Sequence, residues 1–293
     1  KAGINLPIMI MNPDESAFDA LIENNLEPEL FSVSLLNAFA SFLNKQGIQQ
    51  YPVHIELETG MNRLGIADYE LPVLLELLKT NIFKVQSIFS HLVASEDPDQ
   101  DVFTYQQAAL FNTLSGQIQE VLSYPVIKHL LNTSGISRHP SLQMDMVRLG
   151  IGLYGIDNDQ KNLTQVSTLR STIAQIKNLK KGDTVSYGRR GVVKRDSVIA
   201  TIRIGYADGY PRSLSNGEGK IWVNGKLAPI VGSVCMDMTM IDVTGISGLR
   251  EGDDVIVFGK ELPVSELAKW AQTIPYEILT GVSQRVKRVY FEE

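Results

Sequence analysis

The chain has almost no cysteine. Cys235 is the single one in 293 residues, which excludes an internal disulfide framework and a cysteine metal cluster and fits a reducing cytoplasm. It has no long basic run and its formal net charge is -6, which argues against nucleic acid or an anionic membrane surface as a main partner. No apolar stretch approaches the ~20 residues that span a bilayer. Internal repeats and low-complexity segments are absent. The front, Lys1-Ala2-Gly3-Ile4-Asn5, carries neither an initiator methionine nor a signal-peptide pattern and reads as mid-protein sequence. What remains is ordinary: 44% hydrophobic and 20% charged residues, enough chain for two domains and a sizeable core.

Two patterns follow one another. Up to about residue 163, short apolar runs alternate with amphipathic runs. Strands are expected at residues 7–11, 29–33, 53–58, 83–91, 126–132 and 146–153, with helices over 14–22, 34–46, 71–78 and 103–122 between them. Asp14 caps the first helix and Gly47 stops the second. Such alternation implies parallel βα units. About six are counted, whereas a closed (β/α)8 barrel needs eight strands and ~250 residues, so two units are expected to be missing from the front. The second pattern is an all-β domain over residues 164–293, with strands at 171–176, 192–204, 219–223, 227–234 and 254–258 and one helix, 264–271, capped through Ser265. The fold class is therefore α/β: a partial (β/α)8 TIM-like barrel lacking its first strands (1–163), then a mostly β C-terminal domain (164–293).

Ligands of parallel βα arrays bind at the carboxyl ends of the strands. Four polar residues fall at such ends: Arg63 in the glycine-bracketed loop Glu58-Thr59-Gly60-Met61-Asn62-Arg63-Leu64-Gly65, His91 after Ser90, Thr133 in Asn132-Thr133-Ser134-Gly135, and Arg148 in an otherwise apolar run followed by Gly150. Strand alternation turns Asp145 away from Arg148, yet a buried guanidinium needs a partner. Each residue alone has a bland reading: surface charge, core histidine, helix cap, edge arginine. Four at four strand ends point to one ligand-binding mouth. In the β-domain, Tyr206 lies between two glycines in Gly205-Tyr206-Ala207-Asp208-Gly209. A phenol, with a reference pKa near ~10, works as a base only beside cations. Cys235 has no feature that marks it as a nucleophile.

Together these stretches, with Phe89-Ser90-His91-Leu92, Met146-Val147-Arg148-Leu149-Gly150-Ile151, Cys235-Met236-Asp237 and Ser283-Gln284-Arg285-Val286, resemble the bacterial alanine racemases, fold-type III isomerases that use pyridoxal phosphate. Seven motifs match in family order along nearly the whole chain. The resemblance implies a barrel followed by a β-domain, alanine as substrate, D-alanine for peptidoglycan as product, a cytoplasmic setting and a homodimer with shared active sites. It implies that Arg148 faces the pyridine nitrogen and keeps it unprotonated, that His91 lies beside the ring and helps hold Arg148, and that Thr133 and the amides of Gly150 and Ile151 bind the phosphate. Arg63 and the amide of Met236 would hold the substrate carboxylate, Arg63 also touching the cofactor's phenolic oxygen. Tyr206 would be the base on the L-alanine side, reaching into the partner subunit's site. No metal is implied.

Three departures qualify the match. The family's cofactor lysine, in a lysine-alanine-x-alanine-tyrosine-glycine-histidine-glycine stretch, does not occur here. The chain therefore reads as a racemase segment, active within an intact parent and inactive by itself. The alternatives are a non-catalytic cofactor-binding or dimerisation module of a ligase–racemase fusion, or a racemase for serine or another small amino acid. Glu56 stands where many members carry a carbamylated lysine, so a direct contact from Glu56 to Arg63 is expected. Gln284 replaces a gate tyrosine, which leaves the substrate range open.

Overall fold

The computed structural model describes residues 3–157 and 163–291, which form two compact units: residues 3–153 with Asp157, and residues 154–156 with 163–291. Lys1 and Ala2, where the family match was expected to begin, lie outside the described residues, as does the stretch just before residue 163.

The first unit is built on five parallel strands in sequential order, β1 (Met9–Ile10), β2 (Glu27–Leu30), β3 (Tyr51–Glu56), β4 (Phe83–Phe89) and β5 (Ile127–His129). Four helices, α1 (Phe18–Glu23), α2 (Val33–Gln46), α3 (Leu71–Leu78) and α4 (Asp101–Val121), connect them, and α5 (Thr133–Arg138) follows β5. This is an arc of a β/α barrel. The helix boundaries follow local chemistry. Asp14 accepts the amide of Ser16, Ser32 accepts that of Leu35, and Gly47 closes α2 in the left-handed conformation. On α2, Leu35, Leu36, Phe39, Ala40 and Leu43 are buried, and Phe39 packs on Phe18, Tyr51 and Phe83. One face of the strands thus has a dense apolar cover.

The other face is polar. His54 and Glu56 project from β3 opposite Val53 and Ile55, and both are buried. Between β3 and β4 the register shifts after Val53↔Val85, so that His54 pairs with Ser87 and Glu56 with Phe89. The extra residue, Gln86, turns Ser87 and Phe89 onto the same face as His54 and Glu56. Barrel interiors are usually filled by bulky apolar chains; this one holds Glu29, His54, Glu56, Ser87 and His129 at 1–8% exposure.

The expected sixth strand, 146–153, is not a strand. One parallel bridge joins Met146 to His129, after which Ile151–Tyr154 winds into a 3-10 turn. A Cβ on Gly152 would overlap the Leu149 side chain and crowd Thr133, so this turn is a place of close approach.

The second unit is a six-stranded sheet of order β11-β10-β13-β6-β9-β12, with β6 Leu169–Leu179, β9 Ser197–Ile202, β10 Lys220–Val223, β11 Lys226–Pro229, β12 Thr239–Asp242 and β13 Asp254–Phe258. A small ribbon pairs β7 (Thr184–Val185) with β8 (Gly191–Val192). The Asn224-Gly225 turn closes the β10–β11 hairpin. Helix α6 (Val264–Ala271) starts where expected, but its cap position is Pro263, and a further helix, α7 (Pro275–Gly281), follows. β12 was not anticipated, because Met238 to Asp242 lacks the glycine punctuation that marked the other strands.

Candidate functional site

In the first unit His91 lies within electrostatic reach of both Arg148 and Arg63, Thr133 bonds the amides just after Arg148, and Arg148 itself is the most densely bonded. Its two terminal nitrogens meet four acceptors: Nη1 donates to His129 Nδ1 at 2.6 Å and to His129 O at 3.1 Å, Nη2 to Ser90 O at 2.6 Å and Leu130 O at 3.1 Å. Its guanidinium lies 5.0 Å from the Phe89 ring, and Phe89 stacks on His129 at 5.0 Å. Burial lowers the Arg148 pKa to about 10, against the raising influence of Glu56 and Glu29, so it remains a cation at neutral pH. Carbonyl ends of β4 and β5, not a carboxylate, thus supply the partners that the sequence required but did not name.

His129 is the partner of Arg148 that sequence reading missed. The expectation that His91 holds Arg148 is corrected: among the described residues no hydrogen bond joins the His91 ring to Arg148, and His129 takes that place. His91 lies close enough to feel both arginines. Burial first, then the charges of Arg148 and Arg63, push its pKa down to about 4, so its imidazole is neutral. Its carbonyl accepts from Gln107, which also bonds Val93 N and reaches Thr59.

Thr133 is the first residue of α5, not its cap; Asn132 caps the helix by accepting from Gly135 N at 2.9 Å. Thr133 Oγ1 instead accepts the amides of Gly150 (3.1 Å) and Gly152 (3.2 Å). Gly150's N–H is thereby committed, which alters the expected anion-binding set. Among the described residues outside their own helical turns, the Thr133 hydroxyl proton and the Ile151 amide meet no acceptor and are left to donate. Gly152 belongs to the same cluster.

Arg63 sits on an exposed loop folded around Glu58, whose carboxylate accepts the amides of Gly60 and Asn62. Gly65 has φ +120, and a Cβ there would overlap the backbone of Leu57 and Glu58. The predicted Glu56–Arg63 contact is not formed. Among the described residues Glu56 has no ion pair; it is 4% exposed and its hydrogen-bond partner is Glu29, while Arg63 acts on it only through space. Burial, then the bond to Glu29 and the charge of Glu29, push the Glu56 pKa up to about 8, despite Arg63 and Arg148. Among the described residues neither Glu29 Oε1 nor Glu56 Oε2 meets an N–H or hydroxyl donor, so no such bond offsets the burial that favours the protonated Glu56.

In the second unit three motifs meet. Tyr206 N donates to Cys235 O and Ala207 N to Met236 O, each at 3.0 Å. Asp208 accepts from Gly205 N at 2.9 Å and from Arg285 Nε at 2.8 Å, and Arg285 Nη2 reaches Asp237 at 2.5 Å. The Tyr206 and Met236 side chains are both exposed. Gly205 is required by close approach, since a Cβ would overlap the carbonyls of Cys235 and Met236. Gly205→Ala is expected to cost about 1–3 kcal/mol through this overpacking. Thermal unfolding would register it as a fall in Tm, and an unchanged Tm would contradict the tight docking.

Family models describe both halves. "Alanine racemase, N-terminal domain" matches residues 1–158 and "Alanine racemase, C-terminal domain" matches residues 166–290. The chain belongs to the alanine racemase family. It is 33% identical over 305 residues to alanine racemase 1 of Clostridium acetobutylicum, covering 100% of this chain and 78% of that one. It is 36% identical over 300 residues to the alanine racemase of Thermodesulfovibrio yellowstonii, covering 100% and 79%. Among solved structures, the alanine racemase of Clostridium difficile 630 superposes with TM-score 0.89 at 31% identity, covering 99% of this chain and 77% of that one. The alanine racemase of Bartonella henselae, solved with covalently bound pyridoxal phosphate, gives 0.87 at 31% identity, covering 98% and 79%.

Proposed function

We propose that this chain carries the pyridoxal phosphate and substrate contacts of an enzyme that interconverts L- and D-alanine. One observation bears most of the weight. All four Nη hydrogens of Arg148 are committed to fixed protein acceptors, while among the described residues its Nε–H has none. That leaves one oriented donor on a cation that does not give up its proton. Its complement is a neutral acceptor such as an unprotonated pyridine nitrogen. Beside it, the Thr133 hydroxyl and Ile151 amide suit a phosphate. The residues present therefore fit the cofactor.

Pyridoxal phosphate, when bound, supplies an electron sink that eases removal of the substrate's α-proton. Arg148 limits that sink by leaving the ring nitrogen unprotonated, which suppresses side reactions. Arg63 holds the substrate carboxylate. Tyr206 takes and returns the proton on the L-alanine side in the site of a partner chain. The opposite face needs a second base, which in this family is the lysine of a stretch that these 293 residues do not contain.

The test is D-alanine formation from L-alanine with added pyridoxal phosphate. It compares the 293-residue chain with the same chain extended by the family's lysine stretch. Turnover confined to the extended chain is expected. Equal turnover by the shorter chain would contradict the two-base assignment, and no turnover by the extended chain would overturn the proposal.

A further inference from the structure

Behind Arg148 lies a row of buried polar groups, one from each of four adjacent strands. His129 Nε2 meets Ser87 Oγ at 2.8 Å, Ser87 Oγ meets His54 Nδ1 at 2.6 Å, and His54 Nε2 meets Glu27 Oε2 at 2.9 Å. Chemistry allows this row one direction. Arg148 can only donate, so His129 Nδ1 must present its lone pair. Burial, then the charges of Arg148 and His54, push the His129 pKa down to about 3, so its single proton is on Nε2 and goes to Ser87. Ser87 has one proton, which passes to His54 Nδ1. Burial also lowers the His54 pKa, against the raising influence of Glu27 and Glu29, so His54 carries its proton on Nε2 and donates to the Glu27 carboxylate. A doubly protonated His54 would leave the buried Ser87 hydroxyl hydrogen with no acceptor.

We propose that Glu27, His54 and Ser87 are positioning residues: with His129 they form a one-way hydrogen-bond relay that locks the Arg148 guanidinium in the orientation leaving its Nε–H free for the cofactor. None of the three touches the ligand. Each link polarises the next, so the Glu27 charge strengthens His129 Nδ1 as an acceptor across three hydrogen bonds. The shifted β3–β4 register makes the row possible, because it places Ser87 opposite His54. The effect on the cofactor rests on the pyridoxal phosphate reading above; the relay itself does not.

The relay is read in protein with 15N-labelled histidine and no cofactor, by proton–nitrogen correlation spectra between about pH 7 and 8. Both His54 and His129 are expected as neutral Nε2–H tautomers throughout. Glu27→Gln, at the half-buried end, should move the His129 Nδ1 resonance while both tautomers persist, which a merely structural role would not do. In pyridoxal phosphate titrations followed by absorbance, Ser87→Ala should weaken binding roughly 10-fold. Ser87→Thr, which restores the hydroxyl, should recover most of that loss. An Nδ1–H tautomer at either ring, a charged His129 near pH 7, or a Glu27→Gln spectrum unchanged at His129 would overturn the relay. Unchanged affinity in Ser87→Ala would overturn its coupling to the site. Should the wild-type chain bind no pyridoxal phosphate, the cofactor reading fails and the ring spectra still decide the relay.

Discussion

Arg148→Ala is expected to lower stability by about 3–6 kcal/mol and to remove pyridoxal phosphate binding. The reason is the number of acceptors it strands. His129 Nδ1 and the carbonyls of His129, Ser90 and Leu130 all lose their donor at once. Each buried unsatisfied group costs about 1–3 kcal/mol, less where water enters the vacated space. The stacking of the guanidinium over Phe89 is lost as well. Arg148→Lys should recover only part of this. An ammonium is a point charge with three hydrogens and cannot serve four acceptors while keeping a donor free. Urea unfolding at neutral pH with an absorbance titration of the cofactor checks both effects. An Ala variant within about 1 kcal/mol of wild type would refute the role given to the four acceptors.

Glu56→Gln is expected to stabilise the protein at high pH, on the order of 3 kcal/mol near pH 9. Glu56 is 4% exposed, and its folded pKa of about 8 exceeds the ordinary value of 4.5. For an acid with a raised folded pKa, the folded state holds the proton more tightly than the unfolded chain. Its contribution is fully present below about 4.5 and is lost as pH rises through about 8. The histidines run the other way. His91 and His129 have folded pKa values of about 4 and about 3 against an ordinary 6.5, so they add stability as pH rises and are spent above about 6.5. Between about pH 7 and 9 the slope from these three groups therefore belongs to Glu56. The glutamine keeps the shape, carries no charge, and donates an N–H to Glu29 at every pH. Unfolding free energies across this range should fall for wild type and stay flatter for the variant; parallel curves would show that Glu56 is not the group being titrated.

The sequence alone carried much of the site and less of its wiring. The loop glycines around Arg63, the Asn132 to Gly135 cap and the Gly205 turn are local devices, and their chemistry is written in consecutive residues. Helices α1 to α4 were legible for the same reason, since caps and apolar periodicity are short-range. Parallel strands gave clear existence but poor ends: the run 146–153 looked continuous because Arg148 and two glycines interrupt it without breaking its apolar character. His129 was passed over because Ile127-Lys128-His129 reads as the edge of a strand, and the buried partner of Arg148 lies nineteen residues away. A faint signal was present. His54 is level with Ser87, and Glu56 with Phe89 and through it His129, but this shows only once the strands are aligned.

That alignment is what the sequence by itself did not fix. It determined a family, two kinds of architecture and the residue types that face a ligand, since all of these follow from local pattern and motif order. The tertiary structure decided who partners whom. A one-residue shift between β3 and β4 sends Ser87 to the face of His54. Without it, side-chain alternation of period two would place Ser87 on the apolar side with Val53 and Val85. Pairing between distant strands sets that shift, and no neighbouring residues encode it. Pairing of β2 with β3 likewise brings Glu29 within reach of Glu56, so that the Glu56 carboxyl bonds Glu29 and not Arg63.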